Sequence, residues 1–312
     1  MKLKSVYSYG LAFVLGVAAV AAQAAEEFLP FSLASNDAGS VADKIEPTKK
    51  ALTDNGFTIV GEYKPYSSAY IIVVTNDELK KAAASGPRAG YVAAQRVALT
   101  QVGNQTQVSY TNPFYMAKAY RVESSLPATS AAFKKALGHK QDFGPDEGLT
   151  VDKLGEYHYT FGMEYFDEPW ELAFKKNHQE AVSTIEKNLA AKKGGAFKVY
   201  RIDIPGTDTT LFGVGMTMSE GADEDSKYMD EKFIMSEIDF KNLRSTAHLP
   251  YEMLVKGKDV EALHARFRIA INFPDLSMMG DNSFMNIMPT PDAIRDTLRN
   301  VAGGKKESEF NW

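Results

Sequence analysis

The feature that most constrains the fold is an order of short segments that occurs twice along the chain. Each copy runs strand, helix, strand, strand, then a short helix or insertion, and then two more strands. Alternating apolar residues predict the strands, and apolar residues three to four apart predict the helices. Strands that are mostly joined by hairpins, with few helices among them, indicate an α+β fold with largely antiparallel sheets. We therefore expect two similar two-layer α/β sandwich domains.

The first α+β domain is predicted at residues 25–127. Its helix is expected at about 41–52 and ends at Asn55-Gly56, because glycine readily adopts the left-handed conformation that ends helices. Strands are predicted at 57–63, 69–75, 95–100 and 107–110, with a short helix at 77–84. Residues 128–154 are expected to connect the two domains.

The second α+β domain is predicted at residues 155–302, followed by a flexible tail at 303–312. Alternating aromatic and apolar residues predict an opening strand at 156–166. We interpret their shared face as the core face of that strand; it would carry Tyr157, Tyr159, Phe161, Met163 and Tyr165. A helix is expected at 170–192, and the final hairpin is expected from strands at 251–255 and 265–270.

The N-terminus has the order of a cleavable secretory signal peptide. Lys2 and Lys4 precede an apolar run at 11–22, and Ala22-Gln23-Ala24 offers a cleavage site of small residues. The run is shorter than the ~20 residues of a membrane-spanning helix, which disfavours the alternative of an N-terminal anchor. We predict that residues 1–24 are removed and that the mature chain is exported without a transmembrane span. The periplasm is favoured over secretion into the medium.

Composition excludes several classes of function. The 312 residues include no cysteine, so disulfides, thiolate metal sites and cysteine nucleophiles are all ruled out. Residues 1–24 hold two of the 35 basic residues and none of the 40 acidic ones, which leaves a net charge of −7 on the mature chain. Nucleic-acid binding is not expected, because it depends on lysine and arginine neutralising phosphates.

Several short sequences recur at corresponding places in the two halves. The first half has Asn55-Gly56-Phe57, apolar strands at 71–74 and 97–99, and Asn112-Pro113 followed by Met116. The second half has Gly195-Ala196-Phe197, the stretch 248–255, and Phe273-Pro274 followed by Met278. With the order of elements, these sequences make each half similar to the domain of unknown function 302 family.

The resemblance covers most of the mature chain and implies the tandem fold, but it implies no activity. Members of that family often carry cysteine after the Leu-Pro step. Here Leu249-Pro250 is followed by Tyr251, so the resemblance implies no thiol chemistry for this chain.

Metal binding through methionine and histidine is one functional hypothesis. Thioether sulfur suits Cu(I), and an exported chain without cysteine can combine it with imidazole. The candidate ligands are His248, His264, Met278, Met279, Met285 and Met288. The methionine spacing is irregular and no histidine pair has the spacing of a zinc site. We therefore favour the interpretation that methionine fills gaps in cores and loops.

Other motifs give weak signals. Gly213-Val214-Gly215 lies inside a predicted strand, where glycine more often marks a close backbone approach than a dinucleotide site. His158 and Glu164 fall on one face of the predicted strand 156–166, too far apart for direct contact. The carboxylates around 223–231 lack the calcium-loop spacing, so a solvated insertion is favoured.

The leading hypothesis is a non-catalytic envelope binding or accessory protein. A small apolar ligand or an envelope protein would bind between the two halves, because domain interfaces are favoured ligand sites. The alternatives are a periplasmic protein that handles copper or haem through methionine and histidine, and an enzyme of unrecognised class. The sequence specifies neither a cofactor nor a catalytic residue.

Overall fold

The structure is a computed structural model that describes residues 25–305, so the predicted signal peptide at 1–24 lies outside the described residues. The described chain is mixed α and β with largely antiparallel sheets, which confirms the predicted fold class. The elements of the first half are β1 (Glu27–Phe28), β2 (Phe31–Ala38), α1 (Val41–Asp54), β3 (Thr58–Tyr63), β4 (Ala69–Thr75), α2 (Asp77–Ala83), β5 (Gln95–Val102), β6 (Gln105–Thr111), α3 (Pro113–Ala119), α4 (Pro127–Leu137), β7 (Gln141–Phe143), β8 (Leu149–Thr150) and α5 (Val151–Gly155). The elements of the second half are β9 (Trp170–Phe174), α6 (His178–Ala190), β10 (Ala196–Ile204), β11 (Thr209–Met216), α7 (Glu231–Ile238), β12 (Tyr251–Lys256), β13 (Asp259–Ala262), α8 (Ala265–Ala270) and α9 (Thr290–Ala302).

The two main sheets have the same strand order. The first is β3-β4-β5-β6-β2-β7 and the second is β10-β11-β12-β13-β9, so they match strand for strand once β7 is set aside. In each copy the helix that follows the first strand, α1 or α6, crosses to the opposite edge of the sheet. The repeated order in the sequence is therefore a repeated topology.

Side chains that cap helix N-termini fix where the main helices begin. Ser40 accepts a hydrogen bond from the Asp43 amide at 3.2 Å, and the Asp43 carboxylate accepts one from the Ser40 amide at 3.4 Å, which is a capping box. Asn177 accepts from the Glu180 amide at 2.9 Å. These caps satisfy amides that have no partner within the helix.

The two sheets pack against each other, with helices on the outer faces. In β4, Ile72 and Val74 share a core with residues of α1 and α4, whereas Ile71 and Val73 belong to the core shared with the second half. On the outer face of the second sheet, Thr210 lies 3.0 Å from His178 of α6. The layers therefore run helix, sheet, sheet, helix, and the sheet-to-sheet core is common to both halves.

Each half extends one connection onto the sheet of the other. The 3₁₀ turn Ala89–Ala93 places Gly90 against Leu254, and the 3₁₀ turn Thr246–His248 places Thr246 within 2.9 Å of Thr100. The two turns lie in corresponding loops, after β4 and after β11. This exchange relates the halves by an approximate twofold symmetry.

The strand predicted at 156–166 and the helix start predicted at 170 are wrong. Residues 156–166 form irregular backbone, with a turn in which Gly162 has φ +81°, and Phe161 at its tip is 98% exposed. Strand β9 supplies the opening strand instead, and the helix begins only after Asn177. The aromatic alternation misled the prediction because Tyr157 and Tyr159 are held by tertiary hydrogen bonds to the carbonyls of Ala270 and Leu276.

The strand predicted at 265–270 is also wrong, since these residues form α8 and β12 pairs with β13. His264 accepts from the Arg266 amide at 3.3 Å and so holds the capping position that Asn112 holds before α3. Phe273-Pro274 is therefore not the counterpart of Asn112-Pro113. Residues 128–154, expected as a connector, contribute α4 against α1 and β7 beside β2.

A buried charge cluster lies where the two sheets meet. The Glu252 carboxylate of β12 forms ion pairs with Arg96 of β5 and Arg268 of α8, and it accepts a hydrogen bond from Tyr200 of β10. All four side chains are at least 96% buried. A Cβ at Gly213 would lie 2.0 Å from the Tyr200 ring, so glycine at this position lets the ring lie flat and reach Glu252. This close approach confirms the favoured interpretation of Gly213.

Replacing Glu252 tests how strongly this cluster determines stability. Glu252→Gln leaves two buried guanidinium groups without a counter-charge, and such losses cost about 3–5 kcal/mol. We expect urea unfolding of residues 25–312 to show a loss of that size. Asp54→Asn, which breaks the exposed pair with Lys50, is the matched control and should cost about 0.5 kcal/mol or less. Equal unfolding midpoints for the two variants would contradict this role.

Candidate functional site

The segment between β11 and β12 attaches the second half to the first. The Gln107 side-chain amide donates to the Asn242 carbonyl at 2.6 Å, and its oxygen accepts from the Arg244 amide at 2.9 Å. Gln107 is the third residue of β6. The third residue of β13 is Glu261, and this residue of the second half pairs with Arg88 of the first half at 3.1 Å. Equivalent positions thus hold the exchanged segments on both sides of the approximate twofold axis.

Lys241 binds the same segment to the residues that follow β7 in the first half. Its ammonium donates to the Gly144 carbonyl and to Asp146, each at 3.0 Å, and to Asp275 at 2.5 Å. Burial alone would lower the pKa of Lys241, but the two carboxylates outweigh that effect and raise the pKa. The ammonium is therefore a charged contact that joins the two halves.

A cleft opens beside this contact, between β7 and the segment after α7. Its volume is about 580 Å³, within the range of roughly 300–1,000 Å³ that small-molecule sites occupy. We call it the junction cleft. The apolar side chains that line it are Leu29, Phe143, Pro145, Phe240 and Leu243, and the polar ones are Gln141, Asp142, Asp146, Lys241 and Asn242. Phe240 is 48% exposed, which is unusual for a large apolar side chain.

A small recess of about 30 Å³ adjoins the junction cleft and shares Phe240 and Lys241 with it. Asp239 lines this recess and accepts from the Ser245 amide at 2.8 Å. The side-chain oxygen of Asn272, also in its wall, is buried and has no hydrogen-bond partner within residues 25–305. The wall of the recess therefore contains a buried acceptor that has no partner within residues 25–305.

Carboxyl groups outnumber cationic ones around the cleft and its recess. Asp142, Asp146, Asp239 and Asp275 line these spaces together with the single ammonium of Lys241. Burial raises the pKa of Asp239 to about 7, although the Ser245 amide and the Arg244 charge oppose the shift. The site is therefore acidic and gains a further negative charge as pH rises through neutrality.

Two other depressions fit a ligand less well. The one beside Tyr159 and Phe284 measures only about 20 Å³, room for little more than a water molecule. A groove of about 1,000 Å³ follows the edge strand β9 and is the twofold counterpart of the junction cleft. Its lining carries charged side chains of both signs, and two of them, Arg88 and Glu261, already pair with each other.

The two histidines predicted as metal ligands are buried and have both ring nitrogens engaged. Arg268 can only donate, so His248 accepts through Nδ1 at 3.3 Å and carries its proton on Nε2, which lies 3.2 Å from the Tyr251 hydroxyl. Burial, reinforced by Arg268, lowers the pKa of His248 well below its usual range. His264 caps α8 through Nδ1, and its Nε2 lies 3.1 Å from Glu164. Burial lowers the pKa of His264 to about 3, with the Arg266 and Arg295 charges adding to the effect.

The four predicted methionine ligands lie together on the loop before α9. Met278, Met279, Met285 and Met288 are all exposed there. Within residues 25–305, no three His, Asp or Glu side chains are grouped so that they could hold a metal ion.

Neither His158 with Glu164 nor His178 with Thr210 forms a pair of a nucleophile and a general base. Glu164 contacts His264 and Arg266 and is not a partner of His158. The Nδ1 atom of His158 lies 2.9 Å from the Thr160 carbonyl instead. Thr210 lies 3.0 Å from His178 but donates its own proton to Asp203 at 2.7 Å. His178 is therefore a donor to this hydroxyl and cannot serve as its base.

Sequence reasoning missed Gln107, Asp239 and Lys241. The partners that Gln107 and Lys241 contact across the junction lie between 95 and 137 residues away, so no local motif connects them, whereas Asp239 bonds to Ser245 within its own segment. The nearest signal was the long insertion after β11, which we interpreted as solvated because of its carboxylates. One of them, Glu231, is in fact buried, and burial raises its pKa well above the usual range.

Comparison with known proteins identifies no relative: no family model, no curated protein and no solved structure matches the chain. The resemblance to the domain of unknown function 302 family therefore remains a prediction. No helix in the described part of the chain has both the length and the apolar character needed to cross a membrane.

The pKa of Asp239 predicts a pH-dependent stability. The fold raises this pKa from 3.8 to about 7, so it favours the protonated carboxyl. The contribution is fully present below pH ~4 and is lost as pH rises towards 7. Urea unfolding between pH 4 and 7 should show a fall in stability that is steeper in the natural protein than in Asp239→Asn, by up to about 1.4 kcal/mol per pH unit. Glu231, whose pKa is also raised, adds the same loss of stability with rising pH to both proteins. If stability fell equally steeply with pH in the two proteins, Asp239 would not be the group responsible.

Proposed function

We propose that the mature chain is an exported, non-catalytic binding protein that takes up a small molecule in the junction cleft. The observation that carries the proposal is the cleft itself, a space of about 580 Å³ walled by both halves. Such junctions are where small-molecule sites preferentially occur. Export rests on the sequence of residues 1–24 alone.

The lining of the cleft favours a ligand with an apolar body and a positively charged or hydrogen-bond-donating end. Phe240, Phe143 and Leu243 supply apolar contact area, and exposed Phe240 would lose water contact when a ligand binds. The surrounding carboxyls attract a cation. The unpaired oxygen of Asn272 and the carboxyl of Asp239 lie in the adjoining recess, where they can accept hydrogen bonds from a donor group.

A binding role is supported over a catalytic one by how the polar groups near the cleft are used. Lys241 has three oxygen partners, and Gln107 is held by two backbone groups of the inserted segment. These contacts fix the walls, and they leave the Lys241 ammonium engaged with protein oxygens instead of available for proton transfer to a ligand. Copper or haem handling through His248 or His264 is disfavoured because both are buried and hydrogen-bonded.

A fluorescence titration with two small dyes tests whether the junction cleft binds a ligand. Thioflavin T, an aromatic cation, should bind residues 25–312, whereas the anionic dye anilinonaphthalene sulfonate should bind at least tenfold more weakly. Phe240→Ser should weaken thioflavin T binding at least tenfold because it removes the main exposed apolar wall. Phe174→Ser removes another exposed aromatic side chain, on β9, and should leave the affinity unchanged. Equal affinities for the two variants, or tighter binding of the anion, would exclude the proposed site.

Export is tested by expressing the full 312-residue chain in a Gram-negative host. We expect the protein in the periplasmic extract to begin at Ala25 when its N-terminus is sequenced. Ala24→Arg should block processing, because the cleavage site requires a small residue. A full-length chain that stays in the cytoplasm would contradict the prediction, and dye binding by residues 25–312 would be unaffected by that result.

A further inference from the structure

The loop between α8 and α9 exposes methionine to an extent found nowhere else in the described chain. Met278, Met279, Met285 and Met288 are 38%, 75%, 49% and 56% exposed, and they make up four of the nine large exposed hydrophobic side chains within residues 25–305. Methionine that only fills gaps is buried, as Met253 and Met116 are. The grouping therefore calls for another explanation.

Backbone hydrogen bonds bring three of these residues next to one another. The Met285 amide donates to the Met278 carbonyl at 3.2 Å, and the Met288 amide donates to the Met285 carbonyl at 3.4 Å. Met285 lies in the 3₁₀ turn Phe284–Ile287, and residues three apart in such a turn project to the same side. Met285 and Met288 therefore share a side, with Met278 beside them.

Side-chain contacts hold the loop in this shape. The Ser283 hydroxyl donates to the Gly280 carbonyl at 2.7 Å, and the side-chain amide of Asn286 donates to the carboxylate of Glu237 in α7 at 2.8 Å. Tyr159 donates to the Leu276 carbonyl at 2.8 Å and fixes the start of the loop. The three methionine backbones are thus positioned by the fold, while their flexible side chains remain free to turn towards a common point.

The chemistry of three neighbouring thioethers suits a soft monovalent metal ion. Thioether sulfur selects Cu(I) over the hard cations that prefer carboxylates. The chain has no cysteine, and each of its five histidines has at least one ring nitrogen in a hydrogen bond to protein. The methionines are the soft donors that the described structure leaves uncommitted.

We propose that Met278, Met285 and Met288 bind one Cu(I) ion, with Met279 at the rim of the same site. This site is separate from the junction cleft and does not depend on the function proposed for it. An apolar partner docking on the same surface is the competing explanation. The two differ chemically, because a metal needs the sulfur atoms whereas a docking partner needs only apolar area.

Replacement of methionine by leucine separates these explanations, since leucine keeps the apolar volume and removes the sulfur. The variant is Met278→Leu/Met285→Leu/Met288→Leu in residues 25–312. Met218→Leu replaces an exposed methionine outside the loop and is the matched control. Cu(I) affinity is measured by competition with bicinchoninate under anaerobic conditions, and the stoichiometry by native mass spectrometry.

We expect one Cu(I) per chain in the natural protein and in Met218→Leu, and at least a hundredfold weaker binding in the triple variant. In ¹³C-methyl methionine spectra, Ag(I), a redox-inert stand-in, should shift the three loop methyl signals and leave that of Met218 in place. The proposal is overturned if the natural protein binds no Cu(I), if the triple variant binds it equally well, or if Ag(I) shifts none of the three signals. The methyl shifts are read on the natural protein, so this outcome stands even if the triple variant fails to fold.

Discussion

The carboxylate of Glu252 is the interaction on which the arrangement of the two halves depends. It lies where the two sheets meet and pairs with Arg96 of the first sheet and with Arg268 of α8, while Tyr200 of the second sheet donates to it. A buried charge of this kind adds little net stability compared with an apolar core, but it is very costly once a partner moves away. A shift of one sheet against the other would separate Glu252 from Arg96, so the pair ties the register of the first sheet to that of the second. Gly213 makes the geometry possible because it leaves room for the Tyr200 ring.

The approximate twofold symmetry relates the junction cleft to the groove along β9, and the breakdown of that symmetry explains why the two differ. Gln107 and Glu261 hold the exchanged segments at equivalent positions, one with an amide and the other with a carboxylate. The first sheet carries the additional strand β7, which supplies a wall of the junction cleft, and the longer segment after β11 supplies the opposite wall with Phe240 and Lys241. The insertion that departs from the repeat is thus the part that builds the candidate site. The methionine loop is a second departure, because the connection between α8 and α9 is much longer than the connection between α3 and α4.

How far the sequence predicted the structure depended on whether the signal was local. Helix caps such as Ser40 and turns such as Asn55-Gly56 act within a few residues, and the elements they bound were predicted closely. The segment 156–166 shows the opposite case. Its alternating aromatics satisfy the pattern of a strand, but Tyr157 and Tyr159 bond to carbonyls more than 110 residues away and no sheet edge receives the segment. The partners of Lys241 and Gln107 could not be predicted for the same reason, because they are also far away along the chain.

The sequence by itself determined the α+β class, the antiparallel character of the sheets and the repeated order of elements, because alternation, capping and turn residues act over short stretches of chain. It also determined that no thiol chemistry is available. Only the tertiary structure decided that the halves share one core, that Asp239 is buried enough to hold its proton near neutral pH, and that His248 and His264 are already engaged. These properties come from burial and from contacts between distant segments, which are set by how whole layers pack and leave no local trace in the order of residues.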